Sequence, residues 1–497
     1  MSIPAGTEEV EKMERREPSR AGTRIDTHQL SELLGEWRAD GHSAYRALAA
    51  SLWRLVRDGR LSVTSRLPAE RDLADALAVS RTTVASAYEL LRAEGRLISR
   101  RGVGSFVAPD RAPRSASAVE PIDLSVAAMS APEPWLSRAT ARAAAELSTY
   151  TDGHGAFPAG LWELRVAIAA RYTERGLPTD AGQIMVTNGA TGAFTLLARR
   201  FGAPGDRMVV EAPTHPGMLR SLRLAGIRPV PVRLREDGWD LAAWRETLHM
   251  TQSSMACLTP DFHAPTGLLM PHEQRRDLVA LARAAGVTLV ADETVAELSL
   301  KAALPPPLAA YDASDESGAV ITVGSASKAY WSGLRIGWIR ADAPTVRHLA
   351  EQRLGLDVSC PVIDQLVLAR LLGDPGVQAE VLDFQRERAR AGRDTLVALL
   401  RQELPAWTFR VPAGGLALWA RTGGISAREV ADAAGRHGVR LAAEPHFNVA
   451  GGSPDDHVRL PYTRPPDVLA EAVRRLAGAL RAPRCAAPTR GDALTSF

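Results

Sequence analysis

The apolar positions of this chain recur with two periods, and the places where the period changes mark its parts. Around residues 26–37, Leu30, Leu33 and Leu34 share one face of a 3.6-residue repeat, which predicts a short amphipathic helix. In Leu67–Val84, Leu73 and Leu77 lie one helical turn apart behind Pro68, a residue suited to a first turn, and Ala78 and Val79 break the run. Ser80 is a good N-cap, and Val84, Tyr88 and Leu91 follow at i, i+4 and i+7, so the segment reads as helix, tight turn, helix. Leu97–Val107 alternates instead about Gly102 and Gly104, the pattern of a hairpin wing with Arg100 and Arg101 near its tip.

From Ile122 to Arg481 helical periods alternate with short apolar runs, the rhythm of an α/β domain. Candidate strands are Ile184–Thr187, Arg207–Glu211, Arg228–Val232, Ala256–Thr259, Val287–Ala291 and Val320–Val323. Their nearly unbroken apolar character predicts a parallel sheet buried on both faces. The chain thus divides into an N-terminal arm with a short helix (1–40), a helical unit closed by a strand pair (41–110), a Pro/Ser/Ala linker (111–121), the α/β domain (122–481) and a tail (482–497).

Composition narrows the class. A chain of 497 residues with 45% hydrophobic and 24% charged residues fits a globular protein of several domains. No apolar run approaches the roughly 20 residues of a membrane helix and the first residues are polar, so no membrane partner and a cytoplasmic location are expected. Cys257, Cys360 and Cys485 are odd in number and far apart, which excludes a disulfide framework or a compact cysteine zinc site; no metal site is read from the sequence. The net charge of +3 is small, but residues 41–110 carry eleven arginines against seven acids, a local net of +4. Lysine is scarce. Only Lys12, Lys301 and Lys328 occur among 60 basic residues, so a lysine inside a motif is informative.

The basic character coincides with the helix-turn-helix. Arg81, Thr82 and Thr83 lie on the side of the second helix that its apolar stripe does not use, and they offer the donors and acceptors that bind phosphates and base edges. A generic bundle with solvated arginines is the plain alternative. The full string, above all Leu67–Arg71, Ser80–Val84 and Gly95–Val107, resembles the winged helix-turn-helix of the GntR family. The resemblance implies that Arg71, Ser80, Arg81, Thr82 and Thr83 touch double-stranded DNA, with Arg101, Gly102 and Gly104 of the wing near the minor groove. Where some relatives carry a further basic residue on the recognition helix, this chain has Ala85.

The large domain carries a second chemistry in Val323–Trp338 (VGSASKAYWSGLRIGW). A lysine after a buried strand can form a Schiff base with an aldehyde cofactor, and Ser325, Ser327 and Arg335 can donate to a phosphate. The apolar run Val287–Ala291 ends in Asp292, either a helix cap or a carboxylate partner for a protonated ring nitrogen. Thr187–Phe194 (TNGATGAF) follows a strand and opens a helix, so the backbone N–H groups of Ala190 and Thr191 and the Thr191 hydroxyl can bind a phosphate at its N-terminus. In Glu211–Gly217, His215 can stack on a planar cofactor.

With Pro260–Gly267, these segments resemble, in order and spacing, the fold-type I, aspartate-aminotransferase-like enzymes over residues 122–481. With the winged unit in front, the whole chain resembles the MocR family of transcriptional regulators. The resemblance implies a multidomain protein, a mainly α winged helix-turn-helix followed by an α/β fold-type I transferase-like domain. It further implies pyridoxal 5'-phosphate held by Lys328, a ring-nitrogen partner in Asp292, an amino acid carboxylate on Arg459, and a homodimer that completes the site. The effector would be an amino acid, an amine or the cofactor itself.

Two positions depart from the enzyme pattern. The HNPTG motif is His263-Ala-Pro-Thr-Gly here, so Ala264 replaces the asparagine that would bond the cofactor's phenolic oxygen, and Thr294 stands where a tyrosine is usual. No arginine follows His215 closely to hold a second ligand carboxylate. The leading expectation is a regulator that senses a ligand through a pyridoxal-phosphate domain. A working aminotransferase, and a regulator using the cavity without cofactor, are the alternatives.

Overall fold

The computed structural model describes residues 25–35, 37, 43–57, 61, 65–93, 96–100, 104–107, 121–301, 303–312, 318–449 and 455–481. The arm before residue 25, all of the expected linker except Pro121, and the tail after Arg481 lie outside them. The chain forms two compact units, 1–119 and 120–497.

In the first unit, helices Ala44–Arg57, Glu70–Ala76 and Arg81–Ala93 pack around Leu48, Leu52, Leu73, Val84 and Tyr88, all buried. Strands Leu97–Arg100 and Gly104–Val107 form an antiparallel wing, with Leu97 opposite Val107 and Arg100 opposite Gly104. The helix expected within the arm spans Thr27–Leu34, capped by Asp26, which accepts from His28 N at 3.0 Å. It belongs to this core rather than to a separate arm: Leu30 is fully buried and Ile25, Leu34 and Trp37 join the same cluster. It packs on Ala44–Arg57 and Glu70–Ala76 and adds its leucines to their apolar cluster.

The second unit is built on an eight-stranded sheet ordered Ile184–Thr187, Gly337–Arg340, Val320–Ser325, Thr288–Asp292, Met255–Leu258, Arg207–Ala212, Arg228–Arg235, Gly238–Trp239. The run from Val320–Ser325 to Arg228–Arg235 is parallel. Gly337–Arg340 inserts antiparallel between the first and third strands. That strand is missing from the sequence reading because its apolar residues sit inside the lysine motif. Arg228–Arg235 is longer than expected and is not buried on both faces. It lies near the sheet edge, where Pro229 and Pro231 are tolerated. A second sheet of five strands, Thr408–Phe409, Ala417–Arg421, His457–Pro461, Val439–Ala443 and Ile122–Leu124, carries the C-terminal part. Among the described residues no helix is long and apolar enough to cross a membrane.

Candidate functional site

At the start of helix Arg81–Ala93, the Ser80 hydroxyl accepts from Thr83 N at 3.2 Å, so it caps the helix as expected. The same oxygen lies 2.7 Å from the Thr82 hydroxyl and 2.8 Å from that of Thr83, which sets three hydroxyls at one helix end. Arg71, Ser80, Arg81 and Thr82 are exposed and Thr83 is half-buried. The turn before the helix passes through Ala78 at φ 50°, a left-handed conformation that reverses the chain within a few residues. In the wing, Gly104 has φ +125° and a Cβ there would come 3.1 Å from Arg66 Nε. Arg66 therefore lies along the wing, a basic residue that the sequence reading passed over because it precedes the helical pattern. Arg101 and Gly102 lie outside the described residues.

In the large domain the candidate residues converge at the carboxyl ends of the central strands, where open α/β sheets bind ligands. Ser325 pairs with Gly337, so residues 326–336 form the closed connection between two antiparallel neighbours. Lys328 stands in that connection on a wide π-type turn, Ser327–Trp331. Its amine donates to Ala127 O at 2.7 Å. Burial and then the charge of Arg459 lower its pKa to about 8, with Asp292 opposing.

One end of this site is suited to an anion. Helix Gly189–Phe201 begins without a side-chain cap on its free N–H groups, beside Ala190 and the exposed Thr191. Arg335 places its guanidinium against the helix start: a Cβ on Gly189 would meet it at 3.4 Å. Gly337 makes this approach possible, because a side chain there would come 2.5 Å from Gly189 C and 2.7 Å from Ala190 N. The Ser325 hydroxyl donates to Ile336 O at 3.3 Å and accepts from Ser327 N at 3.1 Å. Its proton is thus used inside the turn, where it holds the turn's shape.

Asp292 ends its strand buried, opposite Val323 in register. Burial raises its pKa; the hydroxyl and the N–H of Thr294 (3.0 Å) and the Lys328 charge pull the other way. His215 caps helix Pro216–Leu224 through Nδ1, which accepts from Gly217 N at 3.1 Å and so leaves Nε2 to carry the proton. Burial, followed by the charges of Lys328 and Arg459, depresses its pKa to about 3, so the ring is neutral at ordinary pH. Arg459 sits in strand His457–Pro461, donates to Ser125 O and lies over the Phe447 ring at 5.0 Å. Burial lowers its pKa to about 10. Ala264 is half-buried in the HAPTG turn and has no polar atom on its side chain.

Three further features escaped the sequence reading, two because their members come from separate segments and the third because it acts through backbone carbonyls. Glu211 is fully buried, accepts from Trp239 Nε1 and from Thr259 N at 2.8 Å, and lies 3.2 Å from His263 Nε2. Glu444, Asp456 and His457 gather beside a groove of about 1240 Å³; burial opposes the imidazolium, yet the two carboxylates raise the His457 pKa. The third is the backbone of Ser125–Ser130, which meets both site cations.

The class I and II aminotransferase family matches residues 120–476, and the bacterial gntR regulatory family matches residues 44–107. The chain is 30% identical to the 2-aminoadipate transaminase of Thermus thermophilus over 304 residues, 60% of this chain and 75% of that protein. It is also 30% identical to the HTH-type pyridoxine biosynthesis transcriptional regulator PdxR of Corynebacterium glutamicum over 387 residues, 74% of this chain and 81% of that protein. Among solved structures, the α-aminoadipate aminotransferase LysN of Thermus thermophilus superposes with a TM-score of 0.67 at 26% identity, covering 72% of this chain and 92% of LysN. With a GntR-type winged unit joined to a class I and II aminotransferase domain, the chain belongs to the MocR and PdxR type of transcriptional regulators.

Proposed function

We propose that this protein binds double-stranded DNA through its winged unit and senses an amino acid through its aminotransferase-like domain. One observation carries the reading. Lys328 and Arg459 come from segments far apart in the chain, yet both donate to one short backbone stretch, at Ala127 O and Ser125 O, and the Lys328 charge reaches the buried carboxylate of Asp292.

The donor set fits pyridoxal 5'-phosphate. The uncapped helix start at Ala190 and Thr191, beside Arg335, suits a phosphate, to which Ser327 would add a hydroxyl, and Asp292 offers a buried carboxylate to a ring nitrogen. Lys328 would hold the aldehyde and His215 would pack on the ring. When bound, the cofactor supplies an electrophilic carbon and an electron-accepting ring. Lys328, with its pKa lowered to about 8, has a far larger neutral fraction near physiological pH than an ordinary lysine. Arg459 would take the α-carboxylate with its planar fork, and its burial strengthens that bond. The Thr294 donors oppose the rise in the Asp292 pKa that burial causes, offsetting part of it.

What the site lacks points to sensing rather than turnover. Ala264 offers no donor to the phenolic oxygen, and Thr294 turns its own donors to Asp292. Proton transfer is then poorly tuned, while binding is intact. A homodimer agrees with the exposed apolar residues Leu354, Leu356 and Val358, which flank Asp357, the partner of Asn188 at the helix start. The lowered pKa of Lys328 and the likeness to transaminases favour a second reading, an active aminotransferase. Supplying amino acids to the cofactor-loaded protein and following keto acid separates the two: less than stoichiometric product supports the sensor, and sustained multiple turnover supports the enzyme.

A further inference from the structure

Arg459 is a buried cation with few bonds. Among the described residues its guanidinium makes one hydrogen bond, to Ser125 O, and its Nε is buried without a partner. What lies against it instead is a column of rings. Arg459 and Trp419 stand opposite each other on the antiparallel strands His457–Pro461 and Ala417–Arg421, and His457, two residues along, shares the face of Arg459. Phe447, from the turn Glu444–Phe447, touches both: Arg459 Cζ lies over its ring at 5.0 Å, and the Trp419 ring meets it at 5.4 Å and 78°, an edge-to-face contact. Trp419 in turn stacks on His457, with centroids 5.2 Å apart and planes 10° apart. His457 Nδ1 lies 2.6 Å from Asp456 Oδ1 and 3.6 Å from Glu444 Oε2. The column thus runs from the buried guanidinium to a carboxylate-held imidazole in the wall of the groove.

The ring under Arg459 is itself fixed. Phe447 is 1% exposed, and its carbonyl accepts from the N–H of Thr214, the residue before His215, at 2.8 Å. A ring on the face of a guanidinium leaves the in-plane N–H groups free, whereas a side-chain acceptor would use one of them. A carboxylate binds in that plane, through two parallel bonds. A long side chain that had to find the plane only on binding would lose its rotamer freedom at that moment, at the expense of affinity. We propose that Phe447, braced by Trp419, is a positioning residue that sets the plane of Arg459 for a ligand carboxylate. This rests on the proposed function and deepens it. The column acts on the carboxylate and on no group assigned to the cofactor, so it sets the preference for amino acids over amines that lack that group.

Calorimetry on the full-length protein with two compounds tests this. N-(5'-phosphopyridoxyl)-L-leucine carries the carboxylate; pyridoxamine 5'-phosphate has the same ring and phosphate without it. Phe447→Leu keeps apolar bulk but removes the flat face, so the first compound should bind about five- to tenfold more weakly and the second within about twofold of its original affinity. Phe447→Tyr keeps the face and should keep the preference of the unmodified protein. Trp419→Leu changes a half-buried residue and spares the fold more; it should reduce the preference by about two- to fivefold. Three outcomes would overturn the positioning role while leaving the proposed function intact. They are equal weakening of both compounds in Phe447→Leu, an unchanged preference in both leucine variants, and a loss in Phe447→Tyr as large as in Phe447→Leu. An unmodified protein that binds the two compounds equally, or binds neither, overturns the proposed function and the positioning role together.

Discussion

In the winged unit the groups facing outward, Arg71, Arg81 and Thr82, are exposed, and short hydroxyl contacts join Ser80 to Thr82 and Thr83 at the helix start. In the large domain Asp292 and Arg459 are buried and Lys328 is half-buried, and each has a pKa displaced by burial and by its neighbours. The difference teaches what each region can respond to. Exposed charges are screened by ions and held by little, so the winged unit should answer to salt and to a polyanion. Buried charges are screened weakly and couple strongly, so the large domain should answer to pH and to a ligand that completes its hydrogen bonds.

The most severe way to break this comparison is Lys328→Ala. It should abolish covalent attachment of the cofactor, read as loss of the borohydride-fixed adduct, while the protein keeps its circular dichroism and its binding of DNA. Retention of the adduct would shift the role to Lys301 or Lys12. Arg459→Ala comes next: losing one charge-assisted bond should weaken amino acid binding roughly 10- to 100-fold by calorimetry. It should also raise the Lys328 pKa, because the Arg459 charge is one of the two causes that lower it.

On the other side, Arg81→Ala should cost about 1–3 kcal/mol of DNA binding and relax specificity at one base pair if it reads a base edge. Uniform weakening across sequences, with a shallower salt dependence, would instead assign it to a phosphate. The gentlest test uses pH. Since the Lys328 ammonium is disfavoured by burial and its pKa lies near 8, its neutral form grows through that range. The rate of cofactor capture should rise about tenfold from roughly pH 7 to pH 9 and then level, whereas an ordinary lysine near 10.5 would keep gaining beyond it. His215, neutral throughout that window, should add no inflection.

Much of this organisation was legible in the chain because it is local. The Ser80 cap and the alternation of Leu97–Val107 are set within a few residues, and so are the strand-end positions of Asp292 and the lysine motif. The strand Gly337–Arg340 was not, because an antiparallel insertion is decided by its neighbours, and Gly337 shows its purpose only when the Gly189 backbone packs against it. The helix Thr27–Leu34 had a readable period, but its membership of the winged core depends on which surface remained uncovered. Ser125 and Ala127 were invisible for a simpler reason: they act through carbonyl oxygens, which every residue possesses.

The central claim is that occupancy of the buried site changes the affinity of the exposed one, which requires a ligand to bind two states of the protein unequally. The most direct test titrates single amino acids into the full-length, cofactor-loaded protein and records cofactor absorption and operator affinity in the same samples, with Arg459→Ala as control. At least one amino acid is expected to shift both together, and Arg459→Ala to abolish both responses. An absorption shift with unchanged DNA affinity for every amino acid, accompanied by steady keto-acid production, would contradict the account.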